Sequence, residues 1–189
     1  KKVVRKTVKS SEPEGLLYFL RTCQKDGTSY KGTFKWNLEL GAKNTAPDWS
    51  PEPECGKGLH GLLGGQGESE HLDWSEDASW VVFSSPTSVD LNGKHKVQTA
   101  TICAVGDRKT ATDFLLAKGF QGVHGSFPTA GDNGTATAGD NGTATAGYYG
   151  TATAGYYGTA TAGDGGTVSG GEKAVLSLKY WNGERYRER

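Results

Sequence analysis

The sequence predicts an α+β N-terminal domain followed by a short β-solenoid, built of 16-residue coils from two octapeptides and closed by a C-terminal β-hairpin cap. Three observations carry this. The 29 glycines among 189 residues are unevenly spread, with a dense, regular set after residue 125. An eight-residue unit opening at Gly131 opens again at Gly139, Gly147 and Gly155. Residues 15–124, by contrast, mix strand-like runs with two helix-like stretches and show no period. The segments are therefore 1–14, 15–124, 125–170 and 171–189.

Residues 1–14 open with Lys1, Lys2, Arg5, Lys6 and Lys9 among β-branched residues, which predicts a solvated basic arm or edge strand. Leu16 to Thr22 then reads as a buried strand, turned by Lys25-Asp-Gly27. Ser29 to Trp36 sets Tyr30, Phe34 and Trp36 against polar neighbours, and Pro47, Pro51 and Pro53 mark an irregular loop. Ser75 is placed to cap a short helix with Glu76 and Asp77 in its first turn. Trp80–Phe83 and Gln98–Val105 read as strands. Lys109–Ala117 reads as a helix, with Asp107 or Thr110 as its cap and Gly119 as its stop.

The repeat decides the architecture of the second part. Each unit carries Thr-Ala-Thr-Ala between glycine-rich turns, and alternation with period two is the strand signature. Eight residues cannot close a coil with two strands, whereas sixteen can. Ala is expected inward and Thr outward, because the reverse would bury hydroxyls without partners. Stacked coils then lie about 4.8 Å apart, with Thr at i and i+2 about 7 Å apart. One face would carry Thr135, Thr137, Thr151, Thr153 and Thr167, and the other Thr143, Thr145, Thr159 and Thr161. Tyr148-Tyr149 and Tyr156-Tyr157 would fall at opposite corners of one coil, and the glycines would supply the turns of positive φ. The Thr rows either form a working surface or merely follow strand propensity. Ser126–Ala130 reads as a degenerate entry unit.

An open stack end exposes unpaired backbone and needs a cover. Val175, Leu176, Leu178, Tyr180 and Trp181 are far more apolar than the repeats, and Asn182-Gly183 is a two-residue hairpin signal. Lys+Arg and Asp+Glu are both 21, so no basic surplus exists to favour a nucleic-acid partner. No apolar run is long enough to span a membrane as a helix. Cys23, Cys55 and Cys103 are too few and too scattered for a disulfide framework. With no signal-peptide pattern at the start, the expectation leans to a cytoplasmic location.

Ala146-Gly-Tyr-Tyr-Gly-Thr-Ala-Thr-Ala-Gly155 resembles the Ala-Gly-Tyr-Gly-Ser-Thr-x-Thr-Ala-Gly repeat of bacterial ice nucleation proteins. Glu172 to Tyr186 is similar to the segment that closes those proteins, so the resemblance covers residues 126–187. It implies a 16-residue coil whose Thr-x-Thr arrays organise water and associate into larger assemblies. The water-facing residues would be Thr135, Thr137, Thr143, Thr145, Thr151, Thr153, Thr159 and Thr161. That family stacks dozens of coils, against about three in this chain. The first part, with Gly58-Leu-His60 after Cys55 and repeats following, resembles an uncharacterised family of bacteria and phages that implies no reaction.

Chemistry-bearing residues of the first part gather between Cys55 and Gly67. Cys55 and His60 could form a nucleophile pair if they meet in space, and Trp49 and Trp74 could wall a ligand. The glycines there lack the Lys-Ser/Thr ending of a phosphate loop. Neither CxxC nor HExxH occurs, so no metal and no cofactor are expected. The expectation is a structural or interaction protein that self-associates through the solenoid ends or faces, preferred over an enzyme using Cys55 and His60, which the sequence leaves open. The alternative is a small-ligand-binding module, for bacterial or phage counter-defence, using the N-terminal domain.

Overall fold

The computed structural model describes residues 15–30, 32–184 and 186–188, so the basic segment 1–14 lies outside the described residues. The chain is mostly β with one α-helix. Seven antiparallel strands form the N-terminal sheet: β1 (Leu17–Cys23), β2 (Lys43–Thr45), β3 (Leu59–Leu63), β4 (Ser79–Ser85), β5 (Val89–Asp90), β6 (His95–Val97) and β7 (Thr99–Gly106). Their spatial order is β2-β7-β4-β1-β3-β6-β5. Alternation sorts β1 and β4 onto two cores. Tyr18, Leu20, Trp80 and Val82 join Ala111 and Leu115 of α1 (Arg108–Ala117) on one side. Phe19, Val81 and Phe83 join Trp36, Leu59 and Ile102 on the other. Phe19 and Phe83 stack with centroids 5.1 Å apart.

The helix is placed by its cap: the Asp107 side chain accepts from the Thr110 N–H at 2.8 Å, and Gly119 at φ +89° ends the segment. The helix expected after Ser75 is instead a single turn, closed by Ala78 N–H donating to the Ser75 carbonyl at 3.2 Å. Asp73 accepts from Ser75 N–H, and β4 begins at Ser79, which leaves no length for a helix. The Ser29–Trp36 segment likewise forms no strand among the described residues, and meets the sheet through a single antiparallel bridge from Ser29 to Cys23 at the end of β1. Its polar backbone is spent locally, with Ser29 N–H on Phe34 O and Trp36 N–H on Gly27 O, while the Phe34 and Trp36 rings still pack on the core.

The repeat region forms two parallel sheets. One holds β8 (Thr135–Thr137), β10 (Thr151–Ala154) and β12 (Thr167–Gly170); the other holds β9 (Thr143–Thr145), β11 (Thr159–Ala162) and β13 (Val175–Trp181). Thr151 pairs with Thr135 and Thr167, and Thr159 with Thr143 and Val175, a register of sixteen residues in both sheets. Ala faces inward: Ala144, Ala152, Ala160 and Ala162 are fully buried and share one core with Ala136, Ala138, Ala146 and Ala154. The Tyr pairs stand at separate corners, each in edge-to-face contact at 4.3 and 4.4 Å.

Turn chemistry differs from the expectation. In the four full units the left-handed positions are Asn133, Asn141, Tyr149 and Tyr157, at φ between 52° and 56°, and a glycine, Gly165 at φ +69°, takes that place in the fifth. The N–H groups of the four reach carbonyls two octapeptides on, as Tyr149 does to Asp164 O at 2.9 Å, and this compensates the strain of a non-glycine there. The glycines serve close approach instead. A Cβ at Gly147 or Gly155 would fall 2.4 Å from the Asp132 or Asp140 carboxylate oxygen.

At the near end, residues 122–130 lie along the first strands. Thr129 bridges Thr145 in parallel register, and Thr143 N–H donates to Ser126 O at 2.8 Å. At the far end, β14 (Tyr186–Glu188) pairs antiparallel with β13. Trp181 pairs with Tyr186, so four residues rather than two form the loop, with Asn182 Oδ1 accepting from Glu184 N–H.

Candidate functional site

Two arrangements could carry function. The first is the outward face of the parallel sheets. Thr135/Thr137, Thr151/Thr153 and Thr167/Ser169 stand in three successive rows on one sheet. Thr153 and Ser169 hydroxyls meet at 2.9 Å across that ladder. On the other sheet Thr143/Thr145 and Thr159/Thr161 form two rows, and the third is broken by Val175. None of these nine Thr residues is buried. Inward, the row changes at the far end, where Val168, Leu176 and Leu178 take the places that Ala152, Ala160 and Ala162 fill sixteen residues earlier. Leu176 is 44% exposed, and Trp181, further along the same strand, is 49% exposed. The outer edge of β12 has no partner strand among the described residues.

Side chains beside the turns tie successive parallel strands in register. The Asp132 and Asp140 carboxylates each accept a backbone N–H sixteen residues on, from Tyr148 and Tyr156, at 2.9 Å. Lys173 donates to the Tyr156 hydroxyl at 3.0 Å and lies 5.0 Å from the Tyr157 ring centroid. Hydrogen bonding to these hydroxyls raises its pKa.

The second arrangement is a cavity of about 800 Å³ in the N-terminal domain. Strands β1 and β3 pair at Phe19–Leu63 and Leu20–Leu62 and no further. Beyond that point Arg21, Ser29, Phe34, Cys55, Leu59, His60, Leu72 and Lys94 are among its walls. Thus Cys55 and His60 do share one cavity. Trp49 and Trp74 are not among its lining residues. Trp49 lies beside the fully buried Lys96, 5.8 Å from ring centroid to Nζ. Trp74 packs edge-on to Trp80 at 5.3 Å and donates to Ser69 O.

Sequence reasoning missed Arg21, which looked like the end of a buried strand. Its pKa is lowered by burial, and its neighbour Cys23 has its thiol pushed up by the same cause. His60 is driven down to about 4 by burial first, then by Lys94, Arg21, Lys96 and His71. The ring is therefore neutral at ordinary pH and suited to hydrogen bonding rather than charge. Glu68, Glu70 and His71 bring donor atoms within 4.8 Å of one another, but Glu68 is already paired to His71 at 3.0 Å.

No helix among the described residues is long and apolar enough to cross a membrane. No protein-family model, curated protein or solved structure matches this chain.

Proposed function

We propose that this chain is a structural and interaction protein. In this reading the two parallel sheets are the walls of a short β-solenoid with 16-residue coils, as in ice nucleation proteins. The N-terminal domain seals the near end, and the far end is a contact surface for a second copy of the chain. One observation carries it: the inward-facing row turns from Ala to Val168, Leu176 and Leu178 where the stack stops, beside the unpaired edge of β12. Apolar interior left open beside free backbone groups is the surface a strand stack uses to extend itself. The zero formal charge of the chain removes net repulsion between copies.

The Thr rows would order water on the outer faces. Three rows about 4.8 Å apart make a small surface, so water ordering of consequence follows from association. The test is sedimentation or light scattering over a wide concentration range. The reading requires mass to rise with concentration and Leu176→Lys to hold the chain monomeric. A monomer at every concentration overturns it.

A second reading, small-ligand binding by the N-terminal domain, is favoured by the cavity between β1 and β3 and its neighbouring loops.

A further inference from the structure

Arg21 carries a guanidinium inward that meets no carboxylate among the described residues. Nη1 donates to the His60 carbonyl at 3.1 Å, Nη2 reaches Ser29 Oγ at 3.3 Å and the Thr22 carbonyl at 3.5 Å, and the guanidinium carbon lies 4.0 Å from the Trp36 ring centroid. Nε is enclosed and has no partner. No ion pair among the described residues involves Arg21.

Ser29 adds to the imbalance. Its Oγ accepts from Arg21 and also from Trp36 Nε1 at 3.0 Å. With both lone pairs engaged, its own O–H is left to donate. His60 Nε2 is enclosed and unpartnered as well. All three residues line the 800 Å³ cavity. Enclosed polar groups in folded proteins are almost always satisfied, and an exception asks for a missing water, ion or ligand. A water would satisfy one donor at a time but would leave the cation uncompensated.

From this surplus of donors we propose that the cavity binds a small organic anion, with a carboxylate or monophosphate head at Arg21 and Ser29 and an apolar body against Leu59, Leu62, Leu72 and Phe34. The proposal rests on the ligand-binding reading of the N-terminal domain. A guanidinium is the side chain best matched to such a head group. The size lies within the range of small-molecule sites, and the mixture of apolar wall with a few polar groups is their usual make-up. Lys35 and Lys94, also on the wall, add cations, and the carboxylates of Asp48 and Glu70 stand on the same wall.

The experiment is calorimetric titration of the full chain with benzoate, phenyl phosphate and neutral benzamide, with circular dichroism to verify folding. Saturable binding of benzoate or phenyl phosphate is expected, with the preferred one naming the head group, and none of benzamide. Arg21→Met should weaken it by about tenfold to a hundredfold, the usual worth of a charged hydrogen bond. Arg21 also holds the His60 carbonyl, so Lys94→Glu supplies a second variant, which should bind the anion more weakly while staying folded. Anion binding unchanged in the folded variants overturns the assignment. Binding of benzamide without the anions keeps the ligand-binding reading and sinks the anion. Binding of none of the three means a cavity that holds water alone, and both fail.

Discussion

The His124 imidazole accepts the Asp140 backbone N–H on Nδ1 at 2.8 Å. The same ring meets the Gly67 carbonyl through Nε2, also at 2.8 Å. An acceptor role for Nδ1 places the ring proton on Nε2, so one neutral tautomer joins a loop of the N-terminal domain to the first octapeptide pair. Asp140 is held a second time by the Ser69 hydroxyl at 2.8 Å, and its carbonyl accepts from Gly125 N–H. The two parts of the chain are thus linked through part-buried polar contacts.

His124→Leu should therefore destabilise the junction. Two hydrogen bonds vanish and the Asp140 N–H is left enclosed, which costs on the order of 1–3 kcal/mol. Denaturant unfolding should show the loss, and amide exchange should quicken first in residues 122–143. Unchanged exchange there would mean that the backbone bonds of residues 122–130 hold the junction alone.

The interior of the repeat region makes a sharper demand. Ala152 is fully buried between Ala136 and Val168 of the neighbouring strands, inside the alanine core. Ala152→Leu should cost about 1–3 kcal/mol or more through overpacking. Thr151→Val, one residue away and outward, should stay within about half a kcal/mol. Thermal unfolding of the pair checks whether inward and outward positions differ as the burial says.

Much of this region was legible because its period is strict. Thr-Ala-Thr-Ala at eight-residue spacing fixes strand positions, and the cost of burying hydroxyls fixes which side faces in. The turn detail was not legible. Glycine at positive φ is the usual expectation, yet here Tyr149 and Tyr157 take that conformation, because the glycines are needed where successive coils nearly touch. In the first part, the strands around Phe19, Val82 and Ile102 could be read from their apolar runs. The cavity could not, since it depends on where β1 and β3 part company, a tertiary event with no local signature. Arg21 was hidden for the same reason: in sequence it is a charge at a strand end, and only the fold shows that it has no counter-ion among the described residues.

If the Thr rows order water, charge placed among them should abolish the effect without unfolding the chain. Thr151→Lys with Thr153→Lys keeps the inward Ala residues and puts two flexible ammonium groups in the central row. Droplet-freezing measurements at concentrations where the wild type is associated should show its freezing shift lost in the double variant. Identical freezing in the two proteins would reduce the Thr rows to scaffold.

The last expectation concerns acid. His60 titrates at about 4 in the folded chain against an ordinary value of 6.5, because burial and the cations Lys94, Arg21, Lys96 and His71 oppose its charge. Between those two values the unfolded chain holds a proton that the folded chain does not, so acid favours unfolding. The contribution is complete above 6.5, drains away as pH falls through that window, and levels off below 4. Unfolding near pH 5 should take up roughly one proton at this site. His60→Gln cannot titrate and should flatten that part of the stability profile relative to the wild type. Parallel profiles for the two proteins between pH 4 and 6.5 would place His60 in contact with solvent. A stable anion bound at Arg21 would flatten the wild-type profile, since a nearby negative charge raises the folded pKa of His60 and narrows the window. Repeating the profile with saturating benzoate or phenyl phosphate would therefore shift the acid limb of the wild type and leave His60→Gln less affected.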